Sequence, residues 1–332
     1  MRTRRGTGRL RGWGGVGAMG TACALAGTLV LALPYGKDDG GGDGGDDGVG
    51  PGVTVAAPAR ADAADCNDRS LRPSDKDGPT IEAIKNRKVK KLVVGVDQNS
   101  YQWGYRDPNK KGGELEGFDI DLAHKIAEEI LGDRDAVKFR AIPTNQRIPA
   151  IQSGQVDMVV RTMTVNCDRL KDVDFSTGYF ETGQQVLAPK KSDITGYDES
   201  LKGKKVCSAA GSIAAEELDK KSFGADISTR VPNQLDCLVR LQLGEVDAVV
   251  TDSALAAGQA AQDPTVELKG KEPFTTEHYG VAMKKGSDDL VRRVNKVLDD
   301  YRDDGGWQKS YDKWLAGGLS GKVTPPAPEY RD

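Results

Sequence analysis

Polar side chains follow two similar apolar segments of this chain, and their types could bind the two ends of a zwitterion. The segment AIQSGQVDMVV (150–160) is followed by Arg161 and Thr162, and the segment VRLQLGEVDAVV (239–250) is followed by Thr251 and Asp252. A guanidinium can bind a carboxylate through two parallel hydrogen bonds, whereas a carboxylate can bind an ammonium group. One segment therefore offers a cation and the other an anion.

The same two segments predict the elements that must position these groups. Each reads as an amphipathic helix ended by a glycine, Gly154 or Gly244, and followed by a short, buried, Val-rich strand. In open α/β sheets, ligands bind beyond the carboxyl ends of the strands. Two such units predict two α/β lobes that face each other across a cleft. Extended crossings near 185–188 and 278–283 are expected to join the lobes as a hinge that permits closure.

Composition limits the function classes. The 332 residues suffice for two domains, and 47 Lys and Arg nearly balance 50 Asp and Glu, which argues against a nucleic-acid partner. Two histidines and the absence of a CxxC spacing argue against a zinc site. No metal and no cofactor is expected.

The N-terminal region has the pattern of an export signal. Five arginines within residues 1–11 precede an apolar run at 22–34, and a Gly- and Asp-rich stretch follows. A lipoprotein, an uncleaved anchor and a secreted protein all remain open, and in each case the folded part is expected at the extracellular face of the cell membrane. The predicted segments are an export signal or anchor (1–35), a disordered tether (36–65), lobe 1 (66–187 and 279–320), lobe 2 (188–278) and an extended tail (321–332).

Four cysteines beyond Cys23 agree with export, because an even number favours disulfides outside the cell. Pairing Cys207 with Cys237 keeps one bridge within the second lobe and leaves Cys66 to pair with Cys167. Four cysteines allow three connectivities, so the other two remain open.

Several phrases in the chain resemble family 3 of the extracellular solute-binding proteins, the amino-acid receptors of ABC importers. The resemblance covers 91–315, and within the family it is strongest to actinobacterial glutamate/aspartate-type receptors. It implies a two-lobe, type II periplasmic-binding-protein fold, with a mixed sheet in each lobe. The family usually has proline where Cys167 stands and often a small residue where Arg161 stands. The phrases are GFDIDLA (117–123), NQRIPAIQSGQVD (145–157), TMTVNCDR (162–169), VDFS (173–176), VDAVVTD (246–252) and WQKSYDKW (307–314).

The resemblance implies roles for the two ends of an amino acid. Arg169 stands at the α-carboxylate position, with Thr162, Thr164 and the helix start at Ser212 as further donors. Asp252 stands at the α-ammonium position. Each of these residues also has a purely structural interpretation. The arginine could lie on the surface, and the two threonines could simply end a strand. The serine and the aspartate could each cap the helix that follows.

Selectivity is expected to rest on two arginines. Arg147 resembles the arginine that glutamate-type members direct at the ligand side chain, with Thr144 beside it, and Arg161 would add a second cation. The alternative for Arg161 is an ion pair with Asp97, which would leave room for a neutral amide ligand. Asp97 is expected either at the ammonium site or balancing the arginines.

An aromatic residue of the first loop is expected against the aliphatic part of the ligand. Tyr101, Trp103 and Tyr105 alternate there, and Tyr101 is the one assigned to the site. Alternating aromatics also fit packing in the core of the lobe.

The sequence thus predicts a monomeric receptor that closes on glutamate or aspartate and delivers it to an ABC permease. It is not expected to be an enzyme. Three alternatives stay open: a glutamine or asparagine receptor, a ligand sensor for a membrane signalling protein, and an enzyme like the cyclohexadienyl dehydratases, which share this fold.

Overall fold

The computed structural model describes residues 66–107, 109–110, 112–319 and 323–331. The predicted export signal (1–35) and tether (36–65) lie outside the described residues. No helix in the described ranges is long and apolar enough to cross a membrane.

The first lobe is built on a mixed five-stranded sheet. One of its internal strands is the β-branched run at 92–96, which is covered on both faces. The strand order is β6-β2-β7-β16-β8, and β16 runs antiparallel to both of its neighbours. The bounds are β2 Leu92–Val96, β6 Val137–Ala141, β7 Met158–Val159, β8 Val173–Phe175 and β16 Ala282–Lys284.

The second lobe is built on another mixed five-stranded sheet, with the order β12-β11-β13-β10-β14. Two apolar clusters cover its two faces. The bounds are β10 Gln184–Pro189, β11 Val206–Ala209, β12 Arg230–Val231, β13 Ala248–Asp252 and β14 Val266–Lys269. The mixed two-lobe α/β architecture agrees with the predicted fold class.

Helices pack on both sheets. Their apolar faces are buried, as in α8, where residues at helical spacing contact the first lobe. The bounds are α1 Pro79–Lys85, α2 Phe118–Leu131, α3 Arg147–Gln152, α4 Cys167–Leu170, α5 Ile213–Lys220, α6 Gln234–Gln242, α7 Ser253–Gln262, α8 Asp288–Asp303 and α9 Gly306–Trp314.

Both repeated units have the predicted form. Helix α3 precedes strand β7, and helix α6 precedes strand β13. Gly154 and Gly244 follow the two helices with φ of 70° and 69°, a left-handed conformation that favours glycine. The two strands lie in different sheets, β7 in that of the first lobe and β13 in that of the second.

The crossing between the lobes differs from the prediction. Residues 185–188 lie within β10, which is hydrogen-bonded to β13 on one side and β14 on the other. The predicted boundary at 187 is therefore wrong, because an apolar strand with two paired edges belongs inside a sheet. The crossing is a short antiparallel ladder of β9 (Phe180–Thr182) and β15 (Glu277–Tyr279).

The remaining strands are short. Strands β3 (Asn99–Ser100), β4 (Gly104–Arg106) and β5 (Leu115–Glu116) form a small antiparallel sheet after β2. Strand β1 (Ser70–Leu71) pairs in parallel with β17 (Tyr330–Arg331).

The C-terminal tail, predicted as an extended segment at 321–332, packs on the first lobe through residues near its end. Tyr330 pairs with Ser70 through the backbone and donates its hydroxyl proton to Asp299 at 2.6 Å. The fully buried Asn295 donates to the Leu71 carbonyl at 2.6 Å in the same region. The composition of the tail predicts only an extended segment. Strand pairing with β1 and the hydroxyl of Tyr330 hold this segment against the first lobe.

Both predicted disulfides are present. Cys66 is bonded to Cys167 and Cys207 to Cys237. The first ties the start of the described chain to α4, and the second joins β11 to α6 within the second lobe.

Candidate functional site

Two buried guanidinium groups lie side by side at the junction of the lobes. Arg147 is 3% exposed and Arg169 is 6% exposed. Both donate to the Gly211 carbonyl of the second lobe, at 3.3 Å and 3.2 Å. Arg169 also donates to the Thr164 carbonyl at 2.7 Å, and Arg147 to the Thr144 carbonyl at 2.9 Å. Their hydrogen-bond partners are thus neutral carbonyl groups.

Neither arginine has an anionic partner: among the described residues, no carboxylate lies within 4.0 Å of the nitrogens of Arg147 or Arg169. Burial lowers the pKa of Arg147 well below its ordinary value, and the charges of Arg169 and Arg161 lower it further. Burial also lowers the pKa of Arg169, against the opposing charges of Glu216 and Asp252. Buried charges are costly unless paired, so this pair of cations favours an anionic ligand.

Arg161 is different, because it has a partner of opposite charge. Its guanidinium lies 2.7 Å from the carboxylate of Asp97, and both side chains are buried. It also donates to Thr144 at 3.0 Å and to Asn233 of the second lobe at 3.2 Å. The expectation that Arg161 is free for a ligand carboxylate is therefore not met, and the alternative ion pair with Asp97 is what the structure contains.

Asp97 does not join the ammonium site. Besides Arg161, it accepts from the Ser100 hydroxyl at 2.9 Å and from two backbone amides that follow it. It balances one of the arginines, which is the second of its two predicted roles.

The anionic end of the site surrounds Asp252, at the end of β13. Its carboxylate is 8% exposed and accepts from the Gln184 amide at 2.5 Å. The same amide donates to Glu277 at 2.9 Å. Burial raises the pKa of Asp252, and the charge of Glu277 raises it further, while Gln184 and Arg147 oppose the shift.

Arg169 and Asp252 lie near enough for their charges to interact. The charge of Asp252 acts on the pKa values of both Arg169 and Arg147. Thr164 links the two ends, since its carbonyl accepts from Arg169 and its hydroxyl donates to Glu277 at 2.7 Å. Thr164 thus connects the guanidinium of Arg169 to the carboxylate of Glu277.

Ser212 is the N-cap of α5. Its hydroxyl accepts from the Ala215 amide at 3.2 Å and donates to the Ala209 carbonyl at 2.7 Å. The hydroxyl is therefore used within the lobe, as the capping alternative anticipates. The helix start still faces the arginines, because Gly211 directly precedes it and contacts both.

Thr162 shapes the cleft with its backbone. Its φ of 41° lies in the left-handed region, which is uncommon for a β-branched residue. Its carbonyl accepts from Arg147 at 3.4 Å, and its amide donates to the buried Asp119 at 3.1 Å. Asp119 also accepts from the Tyr179 hydroxyl at 2.8 Å. Burial raises the pKa of Asp119 to about 7, and the two hydrogen bonds oppose that shift.

Thr144 contacts the second lobe. Its amide donates to the Pro232 carbonyl at 3.0 Å, and its hydroxyl accepts from Arg161. Together with the contacts of Gly211 and Asn233, this bond closes the junction between the lobes.

The aromatic residues of the first loop pack against other aromatic side chains of the protein. Tyr101 makes an edge-to-face contact with Tyr105, with ring centroids 5.1 Å apart. Trp103 is fully buried against Phe118 and Phe180. The contacts fit the core-packing alternative, and a ligand contact by Tyr101 stays a prediction.

Four residues of the site were not anticipated as part of it: Asp119, Gln184, Asn233 and Glu277. By its position in the sequence, Asp119 is typical only of an acidic residue in the first turn of a helix. Glu277 and Gln184 flank the two crossing segments, so a polar residue beside a predicted hinge strand was the available signal. No sequence signal indicates Asn233, since it reaches Arg161 only through the contact of the lobes.

A cavity of about 260 Å³ opens beside the paired arginines. It is lined from the first lobe by Arg147, Met163 and Arg169, and from the second by Gly211 and Glu216. The space is suited to a small molecule that enters between the lobes.

The two histidines of the chain lie away from this region. His124 contacts the Arg134 carbonyl on the surface at 2.6 Å. His278 lies 3.3 Å from Glu181, with a side chain that is 45% exposed.

Comparison with known proteins places this geometry in context. The family description "bacterial extracellular solute-binding proteins, family 3" matches residues 92–317. The glutamine-binding protein of an ABC transporter from Bacillus subtilis is 38% identical over 249 residues, which cover 75% of this chain and 88% of that protein. The L-glutamate/L-aspartate-binding protein of Pseudomonas aeruginosa is 32% identical, covering 71% of this chain and 80% of that one.

A solved structure shares the fold. An ancestral arginine-binding protein bound to glutamine superposes with a TM-score of 0.62 at 39% identity, over 68% of this chain and 97% of that one. These relatives are named as binding proteins rather than as enzymes.

Proposed function

The chain belongs to family 3 of the bacterial extracellular solute-binding proteins, and from this premise we propose that it binds an acidic L-amino acid between its lobes. The bound glutamate or aspartate is then presented to an ABC permease on the outer face of the cell membrane. The observation that carries the proposal is the pair Arg147 and Arg169, two buried guanidiniums bonded to carbonyl groups. A ligand with two carboxylates would give each of them an anionic partner.

The charges of the site support the same ligand. Arg161 and Asp97 neutralise each other. Arg169 is assigned to the α-carboxylate, Asp252 to the α-ammonium and Arg147 to the distal carboxylate. The Thr164 backbone and the Ser212 helix start complete the α-carboxylate site, whereas the Thr162 amide is already bonded to Asp119.

A glutamine receptor is the second candidate, and two observations favour it. The ion pair of Arg161 with Asp97 removes one of the two cations that were expected at the side-chain end. A relative that is 38% identical is named as a glutamine-binding protein. In this arrangement Arg147 would donate to the amide oxygen.

Titration calorimetry with glutamate, aspartate, glutamine and asparagine distinguishes an acidic ligand from an amide ligand. We expect glutamate or aspartate to bind at least about ten-fold more tightly than glutamine and asparagine, because an unpaired guanidinium remains buried with an amide ligand. Arginine and leucine serve as controls with a cationic and an apolar side chain. Tightest binding of glutamine would establish the second candidate, and tightest binding of arginine or leucine would contradict both.

A further inference from the structure

The anionic end of the site contains one carboxylate more than a single ammonium group needs. Asp252 and Glu277 are both buried, at 8% and 6% exposure, and share the amide group of Gln184. Glu277 lies in strand β15 of the crossing ladder, whereas Asp252 ends a strand of the second lobe. Like charges in such proximity are unfavourable unless a cation or a proton lies between them.

The hydrogen bonds of Glu277 connect the first lobe, the second lobe and the crossing between them. One oxygen accepts from Thr164 of the first lobe at 2.7 Å. The other accepts from Thr275 at 2.6 Å and from Gln184, at the start of β10, at 2.9 Å. The carboxylate thus fixes side chains that reach it from the first lobe, the second lobe and the crossing.

Gln184 is left with an unused acceptor. Its amide nitrogen is engaged by the two carboxylates, while its oxygen is buried and accepts no hydrogen bond from the described residues. Gln184 itself is 1% exposed. A buried acceptor beside two carboxylates calls for a donor, and an ammonium group has three.

We propose that Glu277 is a positioning residue for the α-ammonium group of the ligand: it orients Gln184 and Thr164 and adds a second negative charge beside Asp252. The inference rests on the proposed binding of an amino acid between the lobes, but not on the choice between acidic and amide side chains. Glu277 also makes binding depend on pH, since its charge favours a protonated Asp252, which must lose that proton before it can bind the ammonium group.

The neighbouring charges determine the direction of that dependence. Glu277 raises the pKa of Asp252, in addition to burial, while Arg147 and the Tyr279 hydroxyl lower it. Below the raised pKa of Asp252, the protonated carboxyl group must release its proton to bind the ammonium. Affinity therefore rises with pH up to that pKa and is constant above it.

The test compares Glu277→Gln with the wild-type protein for ligands with and without the ammonium group. L-glutamate is compared with glutarate, and L-glutamine with glutaramate, by calorimetry at pH 7.5. For E277Q we expect about ten-fold weaker binding of the amino acid, while binding of the deaminated analogue does not weaken. Equal loss for both members of a pair, or no loss for either, would overturn the proposal.

Proton release gives a readout that a merely structural role would not change. Titrations at pH 6 in two buffers of different ionisation enthalpy measure the protons released on binding of the amino acid. We expect release by the wild-type protein and clearly less by E277Q, with the pH-dependent rise in affinity moved to lower pH. An unchanged release and an unchanged pH profile would contradict the inference even where glutarate binds too weakly to measure.

Glu181→Gln is the matched control. Glu181 lies on the other strand of the same ladder, with a side chain that is 59% exposed, and pairs with His278. We expect E181Q to leave affinity and proton release unchanged. Failure of the wild-type protein to bind any amino acid would reject the proposed function itself, whereas binding that is insensitive to E277Q would reject only the role of Glu277.

Discussion

Individual arginines of similar burial have different roles because their partners differ. Arg161 is fully buried but lies 2.7 Å from the Asp97 carboxylate. Arg147 is nearly as buried and bonds only to carbonyls, which carry no net charge. A buried ion pair can be self-sufficient, whereas a buried single charge is stabilised by an incoming counter-ion. Side-chain selectivity is therefore assigned to Arg147.

Replacement of Arg147 by glutamine should change selectivity more than binding as such. We expect R147Q to bind glutamate about ten- to a hundred-fold more weakly, because a charge-assisted hydrogen bond to the distal carboxylate is lost. Glutamine binding should weaken much less. Arg169→Gln is the control, because loss of the α-carboxylate partner should weaken glutamate and glutamine equally. Calorimetry gives both ratios, and an unchanged glutamate-to-glutamine ratio in R147Q would contradict the assignment.

Among the elements, α4 depends most on its surroundings. It has only four residues, too few to be stable alone, yet it carries Arg169. Asn166 caps it by accepting from the Arg169 amide at 2.9 Å. Cys167, its first residue, is bonded to Cys66. The disulfide therefore positions the helix that carries Arg169, in addition to closing a long loop.

Removal of that disulfide should affect both stability and binding. The double replacement of Cys66 and Cys167 by alanine opens a loop with a sequence separation of 101. Loop entropy predicts a loss of roughly 5 kcal/mol in the free energy of unfolding. We also expect several-fold weaker amino-acid binding, since α4 is released. Urea denaturation and calorimetry measure the two effects.

The second disulfide provides the comparison. Cys207 and Cys237 join two elements of the second lobe, with a sequence separation of 30, and neither neighbours Arg169. Their replacement by alanine should also destabilise the protein but should weaken binding less. Equal weakening by both double variants would show that general stability, rather than the position of α4, determines the affinity.

The molecule as a whole presents its two lobes in contact. Gly211 approaches Asn145 across the junction, and a Cβ atom on Gly211 would lie 3.1 Å from the Asn145 Cα. Gly211 also has a φ of 75°, which glycine adopts without strain. Closure thus requires both the absence of a side chain and a left-handed backbone at the start of α5.

Gly211→Ala should hinder closure. We expect about ten-fold weaker amino-acid binding and a smaller ligand-induced decrease in the radius of gyration, measured by calorimetry and small-angle scattering. Gly203→Ala is the matched control: Gly203 lies in the same lobe with a φ of 73°, but nothing lies within 4 Å of its Cβ position. Both variants should lose about 1 kcal/mol of stability from backbone strain. Equal effects on binding would contradict a role for the junction.

The sequence by itself determined the elements and their order. The spacing of apolar residues and the glycines that end helices are local properties of the sequence. The repeated units at 150–160 and 239–250 were therefore predictable without any contact between them. The same division into lobes favoured the disulfide pairing that the structure contains, although the other two connectivities stayed open, and the family phrases implied opposite ends of one site for Arg169 and Asp252.

Only the tertiary structure decided which charges are already paired. Arg161 and Asp97 lie 64 positions apart (161 − 97), and Glu277 reaches Gln184 and Thr164 from β15, on the return crossing. The tail strand and the crossing ladder likewise form from segments far apart in the chain. Coulomb energy depends on distance and burial rather than on residue type, and both are set when the lobes come together.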